Sequence, residues 1–264
     1  MTFNLRFDND RDGENSWSNR REILVEVVRR FAPTLLGTQE GTPVQLEYLK
    51  RYLHPYRMHE PIRPIDETCQ YATLFYLEER LRLMEGGEFW LSNTPDAHRS
   101  KSWDSAFPRM MSYALFEDLQ AKKPFWAAVT HLDHIGAQAR REQANLIAEW
   151  SRLKADFPRV LMGDFNDLPD SPAHRILTAV ESDLLDSWQV LGNKEDEQSM
   201  THHDFNGAPE KCRMDWILCS RDFRILDARV IRDHYEGRYP SDHFPYGVVL
   251  DWAVEGLSPT CKLD

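Results

Sequence analysis

The order in which local patterns succeed one another is the strongest constraint on this 264-residue chain. Short apolar strands are interleaved with moderate helices, and the middle is a long run of β-type segments. Thr2–Arg6 reads as a first strand, followed by polar Asp8–Glu14. Ser18 can cap a helix over Asn19–Phe31, with Ile23, Leu24, Val27, Val28 and Phe31 at helical spacing and Pro33 as its stop. Thr34–Thr38 reads as a buried strand. Thr42, Pro43 and Gln45 spell a capping box with proline at the first helical position, ahead of Leu46, Leu49 and Leu53 on one face. Strand signals follow at Tyr71–Leu77, Leu81–Met84, Phe89–Leu91, Met111–Phe116 and Phe125–His131, several separated by Gly-Gly or Pro/Asp turns, as antiparallel strands are. Ala137–Leu153 reads as a helix burying Ala144, Ile147 and Trp150, and Val160–Met162 as a short strand. Ser171-Pro172 opens another helix with Ile176, Leu177 and Val180 inward, and strands close the chain at Met214–Cys219, Ala228–Asp233 and Tyr246–Trp252. This order suggests two sheets packed on each other with helices outside. No composition break divides the chain, so a single domain over residues 1–264 is expected.

Composition limits the partners. Hydrophobic residues at 41% and charged residues at 28% belong to ordinary globular proteins and exclude bulk disorder or a coiled coil. The net charge of −11 argues against a protein held on long nucleic acid by bulk charge, because such binding needs many cationic phosphate contacts. A small phosphate ester gripped by a metal stays compatible with it. The four cysteines, Cys69, Cys212, Cys219 and Cys261, form no Cys-x-x-Cys pair, so they read as buried free thiols rather than a zinc ribbon or redox site. No apolar stretch approaches the ~20 residues of a membrane span, and the opening residues do not read as a secretory leader. A cytoplasmic location is the default expectation. No feature sets an oligomeric state.

Chemistry-bearing residues collect where strands end. Gly163-Asp164-Phe165-Asn166 follows the apolar strand Arg159–Met162, and a glycine there permits a sharp turn that presents Asp164 and Asn166 together. A carboxylate can take a proton or bind a hard cation, and an adjacent amide can hold water or a phosphate oxygen; a plain Asx turn is the blander account. Ser241-Asp242-His243 precedes the strand at Tyr246 and reads equally as a site or as a capped loop. Asp215 interrupts the apolar run Arg213–Ile217, where a carboxylate is expensive to bury unless paired, and histidine is its natural partner. Glu40 stands between a strand and a capped helix, as a dipole-stabilised charge or as a metal ligand. Thr130-His131-Leu132-Asp133-His134 ends another strand, with His134 read as structural. Asn4 ends the first. Carboxylates, amides and imidazoles without thiolates favour Mg²⁺ or Mn²⁺ over softer ions.

In this order the motifs resemble the endonuclease/exonuclease/phosphatase superfamily, which has the fold of DNase I. The matching pieces are Asn4-Leu5-Arg6, Thr38-Gln39-Glu40, Thr130-His131-Leu132, Gly163-Asp164-Phe165-Asn166, Met214-Asp215-Trp216-Ile217 and Ser241-Asp242-His243. A further set resembles an uncharacterised bacterial branch: Asp12-Gly13, Trp17, Lys101-Ser102-Trp103-Asp104, His131 to Gly136 with Ala139-Arg140, and Gly237-Arg238-Tyr239-Pro240. The resemblance implies an α/β, four-layer αββα sandwich of two mixed, mainly antiparallel sheets. It implies a divalent ion at Glu40, one or two ions in all, with Asn4 holding the metal site or the phosphate and Asp242 supporting the metal. Asp164 would position or deprotonate the attacking water, Asn166 would fix phosphate oxygens, and His243, oriented by Asp215, would contact the scissile phosphate; either Asp164 or His243 is the base. His131 matches the histidine that non-DNA members turn on the phosphate, which weakens a DNA-repair reading. Arg6 stands where the repair enzymes carry an acidic residue, so no metal ligand is expected there.

Trp17, Trp103, Arg238 and Tyr239 lie in loops near these motifs and are candidates to line the pocket, Arg238 for a phosphate oxygen and the aromatics for a ring, with core packing the plainer role. The resulting expectation is a metal-dependent phosphohydrolase acting on a phosphodiester or phosphomonoester by in-line attack of water. The rivals are a nuclease for polymeric DNA or RNA, which would need a basic groove, and a catalytically silent binding scaffold on the same fold. Pairs such as Arg20-Arg21, Arg29-Arg30 and Lys50-Arg51 fit solvated helix faces at least as well as a groove.

Overall fold

The structure is a computed structural model that describes residues 1–61, 63 and 66–253; Cys261 lies outside the described residues. Strands β1 (Thr2–Asn4), β2 (Leu35–Gly41), β3 (Tyr56–Met58) and β4 (Tyr71–Leu77) are joined by helices α1 (Trp17–Phe31) and α2 (Pro43–Tyr52). Then come β5 (Leu81–Trp90), β6 (Met110–Asp118), β7 (Lys123–His131), α3 (Ala137–Leu153), β8 (Arg159–Asp164), α4 (Pro172–Leu177), β9 (Leu184–Asp186), α5 (Ser187–Val190), β10 (Asp215–Ser220), β11 (Phe223–Val230) and β12 (Tyr246–Trp252). The strands form two six-stranded sheets, ordered β11-β12-β1-β2-β4-β3 and β5-β6-β7-β8-β10-β9. Each sheet has one parallel pair, β1 with β2 and β7 with β8, and is otherwise antiparallel. The expected pair of mixed, mainly antiparallel sheets flanked by helices is therefore the fold observed.

Burial explains the layering. Val129, Met162 and Ile217 sit side by side on β7, β8 and β10 and enter the core between the sheets. Gly37 of β2 comes up against Met162 and Val129 there, so the sheets approach closely at that point. The opposite faces of β7, β8 and β10 turn Ala128, Leu161 and Leu218 to Ala144 and Ile147 of α3 and Leu177 of α4. On the first sheet, Leu24 and Val28 of α1 and Leu46 and Leu49 of α2 join the main apolar cluster. Fully burying an aliphatic side chain of this size stabilises the fold by roughly 1.5–3 kcal/mol.

Local chemistry accounts for most of the elements. Thr42 and Gln45 form the capping box at α2, each side chain meeting the other's backbone N–H. The first helix begins at Trp17 rather than after Ser18, because a 3₁₀ stretch, Asp10–Asn15, runs straight into it. Gly86 and Gly87 do not separate one strand from the next; β5 runs through them with a bulge nearby. A Cβ on either would meet the side chain of His59 or Tyr113, so these glycines make room for packing over a continuous strand. Val180 is 85% exposed, because α4 ends before it at Leu177. The strand expected at Ala228–Asp233 lies earlier, at Phe223–Val230, in register with β12.

Gly163 is the tightest junction near the strand ends: a Cβ there would strike the carbonyl oxygen of Thr130 on β7. Gly163→Ala should therefore destabilise the protein by about 1–3 kcal/mol, the cost of overpacking a well-filled site. Urea unfolding measures this, and an unchanged midpoint would contradict the close approach of β7 and β8.

Candidate active site

Strand register brings the candidate residues together. One side-chain repeat beyond the core row Val129–Met162–Ile217 lies the row His131–Asp164–Asp215, because successive residues on one face of a strand recur every second position. His131 and Asp164 end the parallel strands β7 and β8. Asp215 begins the antiparallel strand β10, so the same sheet edge receives all three. Across the gap between the sheets, Asn4 ends β1 and pairs with Gln39 on β2. Ser241 follows the loop into β12 and donates its hydroxyl to the Asn4 carbonyl at 2.7 Å, which seats Asp242 and His243 beside the same edge.

Asp164 is the hub. It is 1% exposed. Asn4 Nδ2 donates to its Oδ2 at 2.9 Å and the Asn166 backbone N–H to its Oδ1 at 2.9 Å. His131 Nε2 lies 3.3 Å and His243 Nε2 3.8 Å from Oδ2. The other His243 nitrogen, Nδ1, is 2.8 Å from Asp215 Oδ2. Burial and the charge of Asp215 raise the Asp164 carboxyl to about 7. Burial opposes a charge on His243, yet Asp215, Asp164 and Asp242 overcome it and raise the imidazole to about 10. Burial, then Arg109, holds His131 well below its ordinary value, so this ring is neutral.

Glu40 reaches the edge by a local distortion. The pairing of β2 with β4 shifts register between Thr38 and Gly41, and Glu40 has φ of 63°. Its carboxylate accepts from Phe7 N–H at 3.0 Å and from Asn4 Nδ2 at 3.3 Å. Arg6 (φ 53°) and Asn166 (φ 50°) also adopt the left-handed region, so three residues at this edge carry backbone strain, which clusters at functional sites. Arg6 donates two hydrogen bonds to Asp12, at 3.0 and 2.8 Å, and stands 3.7 Å from Asp242. Its guanidinium places a fixed positive charge beside Asp242.

Several residues outside the expected site hold this edge in shape, among them Arg20, which reads from the sequence as part of a solvated helix face but is buried. Arg20 of α1, 2% exposed, donates to the carbonyls of Leu5, Arg6, Asn15 and Pro240, tying the exits of β1 to the loop that carries Asp242 and His243. Thr201 Oγ1 accepts from the N–H groups of Met214 and Asp215, while its carbonyl accepts from Phe244 N–H. Asp242 accepts from His203 N–H through its backbone, and His202 bridges to His243. Arg109, 8% exposed and just ahead of β6, stands 3.0 Å from His131 Nδ1. Asp133 is fully buried and its carboxylate accepts from Ser105, Ala106, Phe107, Ile135 and Gly136. The sequence cues were modest: a Thr-His-His triplet and an arginine directly before an apolar strand.

The four residues expected to line the pocket have different surroundings. Trp17 is 3% exposed and packs in the core, edge-on to Tyr48 and under Arg20, because α1 starts two residues early and turns it inward. Trp103, half-buried with φ of 57°, lines a hollow beside Leu146 and Ile176 on the outer side of α3. Arg238 is exposed on a turn closed by Tyr235, and Tyr239 packs on His203.

The donor set suits a hard divalent cation. Oxygen ligands are available from Glu40, Asp242 and Asn4, no thiolate is among them, and a Mg²⁺ ion needs only one or two carboxylates, with water and substrate oxygens completing its shell. The side chains whose ligand atoms converge most closely among the described residues are Asp164, Asp215 and His243, and His202, Asp242 and His243; Glu40 approaches alone, braced by Phe7 and Asn4.

The model of the endonuclease/exonuclease/phosphatase family matches residues 1–243, and the chain belongs to that family. Its fold superposes on an endonuclease/exonuclease/phosphatase family protein of Bacteroides thetaiotaomicron with a TM-score of 0.89, at 29% identity over 96% of this chain and 97% of that one. The mannosyl-6-phosphatase of the same organism is similar, with a TM-score of 0.87 at 29% identity over 95% and 98% of the two chains. A yeast inositol phosphosphingolipids phospholipase C is 29% identical over 141 residues, 41% of this chain. The chain spans under two thirds of the curated relatives it matches: 29% of that phospholipase and 59% of a mimivirus protein. One of these relatives is thus a phosphatase and another a phospholipase C.

The Asp215–His243 pair sets a pH dependence. His243 titrates near 6.5 when unfolded and near 10 when folded. The raised value means that the pair's stabilisation is fully present below the unfolded value and is lost as pH rises toward 10. Melting temperature should therefore fall more steeply between pH 7 and 10 in the wild type than in Asp215→Asn, and that variant should lose about 3–5 kcal/mol at pH 7, the cost of breaking a buried pair. Parallel melting curves for the two proteins would refute the assignment.

Proposed function

We propose that the chain is a divalent-metal-dependent phosphohydrolase that cleaves a small or end-bound phosphate ester by in-line attack of water. The observation that carries this reading is the line Asp215–His243–Asp164, in which two acids and a histidine are buried side by side and the proton affinities of His243 and Asp164 are raised above their ordinary values. The class of ester is drawn from the family's phosphatase and phospholipase members and from the charge of −11, which disfavours a long duplex.

The roles follow from the separate environments. His243 keeps its proton at neutral pH, so it serves as a charged donor to the phosphoryl group rather than as the base. Asp164 exchanges its proton near pH 7, which suits it to receive the proton of the attacking water. The new bond forms from water oxygen to phosphorus as the bond to the leaving oxygen breaks, one proton of the water passes to Asp164, and the leaving oxygen departs with the electron pair and takes a proton from solvent. Asp215 fixes the His243 ring through Nδ1 and keeps it charged. Asn4 orients Asp164, and Asn166 and His131 face the phosphoryl oxygens. Mg²⁺ or Mn²⁺, one or two ions held by Glu40 with Asn4 and Asp242, would neutralise phosphate charge and polarise bound water.

A panel of esters tests this reading: mannose 6-phosphate, aryl phosphomonoesters and diesters, a phosphosphingolipid and a single-stranded oligonucleotide, each with Mg²⁺ and with Mn²⁺. At least one small ester should be hydrolysed, chelation should abolish the reaction and the metal should restore it. Asp164→Asn and His243→Ala should each lower kcat by about 10²–10⁴-fold, the usual contribution of a positioned acid or base, and Glu40→Gln should weaken metal binding measured by calorimetry. Full activity in either of the first two variants would overturn the site. Exclusive hydrolysis of the oligonucleotide, with steep loss at high salt, would favour the nuclease.

A further inference from the structure

We propose that Arg109 is a positioning residue that holds His131 as its Nε2–H tautomer, so that His131 and Asn166 converge as paired N–H donors for one anionic oxygen. Taking that oxygen as a phosphoryl oxygen rests on the phosphohydrolase reading; the tautomer itself does not.

The argument starts from a donor that cannot reverse its role. A guanidinium carries only N–H groups and stays charged in proteins. One Arg109 nitrogen is 3.0 Å from His131 Nδ1 and another 3.2 Å from His134 Nδ1. Each contact is a hydrogen bond only if the ring nitrogen accepts. A neutral imidazole has one hydrogen, so that hydrogen must sit on Nε2 in both rings. A cation at this distance also disfavours a second proton on either ring.

The far side of His131 then becomes informative. Its Nε2 is 2.8 Å from Asn166 Nδ2, which also donates to the Leu132 carbonyl at 3.1 Å. With a hydrogen on Nε2, the ring and the amide point donors at one another with no acceptor between them. Turning the amide over would give Nε2–H an acceptor but would set Asn166 Oδ1 against the Leu132 carbonyl. Asp164 Oδ2, 3.3 Å from Nε2, engages the ring's donor only weakly. Facing donors in a buried site are satisfied together by an anionic oxygen that accepts from both.

Arg109 is itself held in place. Its backbone carbonyl accepts from Leu91 N–H at 2.7 Å, and Asp133 Oδ2 lies 3.8 Å from its Nε. Asp133 accepts five hydrogen bonds from the two loops on either side, so its carboxylate is a fixed reference for the guanidinium. His134, by contrast, is exposed, with its ring stacked on Phe107 at 5.6 Å.

Histidine-labelled protein, read by ¹⁵N NMR in the wild type, Arg109→Met and Arg109→Lys, tests the proposal. His131 should carry its hydrogen on Nε2 in the wild type and in Arg109→Lys, which keeps a cationic donor. It should shift toward Nδ1–H in Arg109→Met, whose fold is checked by near-ultraviolet circular dichroism. Inorganic phosphate should perturb the Nε2 resonance in the wild type and not in Arg109→Met. With an ester that the wild type hydrolyses, Arg109→Met should lower kcat by about 10²-fold, as loss of one oxyanion donor does, with a smaller change in KM and partial rescue in Arg109→Lys. An Nδ1–H ring in the wild type, an Nε2–H ring that persists in Arg109→Met, or an unchanged kcat beside a changed tautomer would each overturn it. If the wild type hydrolyses no ester yet shows the Arg109-dependent tautomer, the phosphohydrolase reading falls and the positioning by Arg109 stands.

Discussion

The hydrogen bond from Asn4 to Asp164 joins the two sheets at the edge where the chemistry lies. Asn4 ends a strand of the first sheet and Asp164 a strand of the second, so the bond exists only when the sheets are packed in one relative position. That position is set one row deeper, where Gly37 admits Met162 and Val129. The polar row above the apolar row has no freedom of its own. A shift of register by one residue would turn His131, Asp164 and Asp215 out of the gap together, because side chains alternate faces along a strand.

A site made this way concentrates buried charge, and the surroundings answer each charge differently. His243 is compensated by Asp215 at hydrogen-bond distance and stays an imidazolium. His131, beside Arg109, stays neutral. Burial disfavours a charge on both rings, but the carboxylates around His243 overcome it while the guanidinium beside His131 adds to it, so two histidines on one edge have opposite charge states. Arg20 is treated in a third way: burial lowers it to about 10, and four backbone carbonyls rather than a carboxylate receive its hydrogens. It acts as a rigid tie between loops, and its charge is among those that lower Asp242.

Much of the fold was legible because its signals are local. The capping box at Thr42 depends on residues three apart, and the apolar faces of α1 and α3 on a spacing of 3.6, so both could be read before any packing was known. Failures came where tertiary packing changed the meaning of a residue. Gly86-Gly87 reads as a turn, but the side chains of His59 and Tyr113 lie over it and the strand continues. Trp17 reads as a pocket wall near a polar loop, but the helix begins early enough to send it inward. The short strands β3 and β9 carry too few residues to show a period.

The site divides along the same line. The sequence by itself determined which residue types stand at strand ends: Asn4, Glu40, His131, Asp164, Asn166, Asp215, Asp242 and His243. The ends of strands can be inferred from apolar runs, and a polar residue that interrupts such a run needs a reason to be there. Only the tertiary structure decided who meets whom. That Asn4 holds Asp164 and that Arg109 stands behind His131 follow from bringing together segments distant in sequence, and the pairing of Asp215 with His243, which the family resemblance implied, acquires its geometry there. Such pairings depend on register and on the distance between sheets, quantities that no short window of sequence encodes.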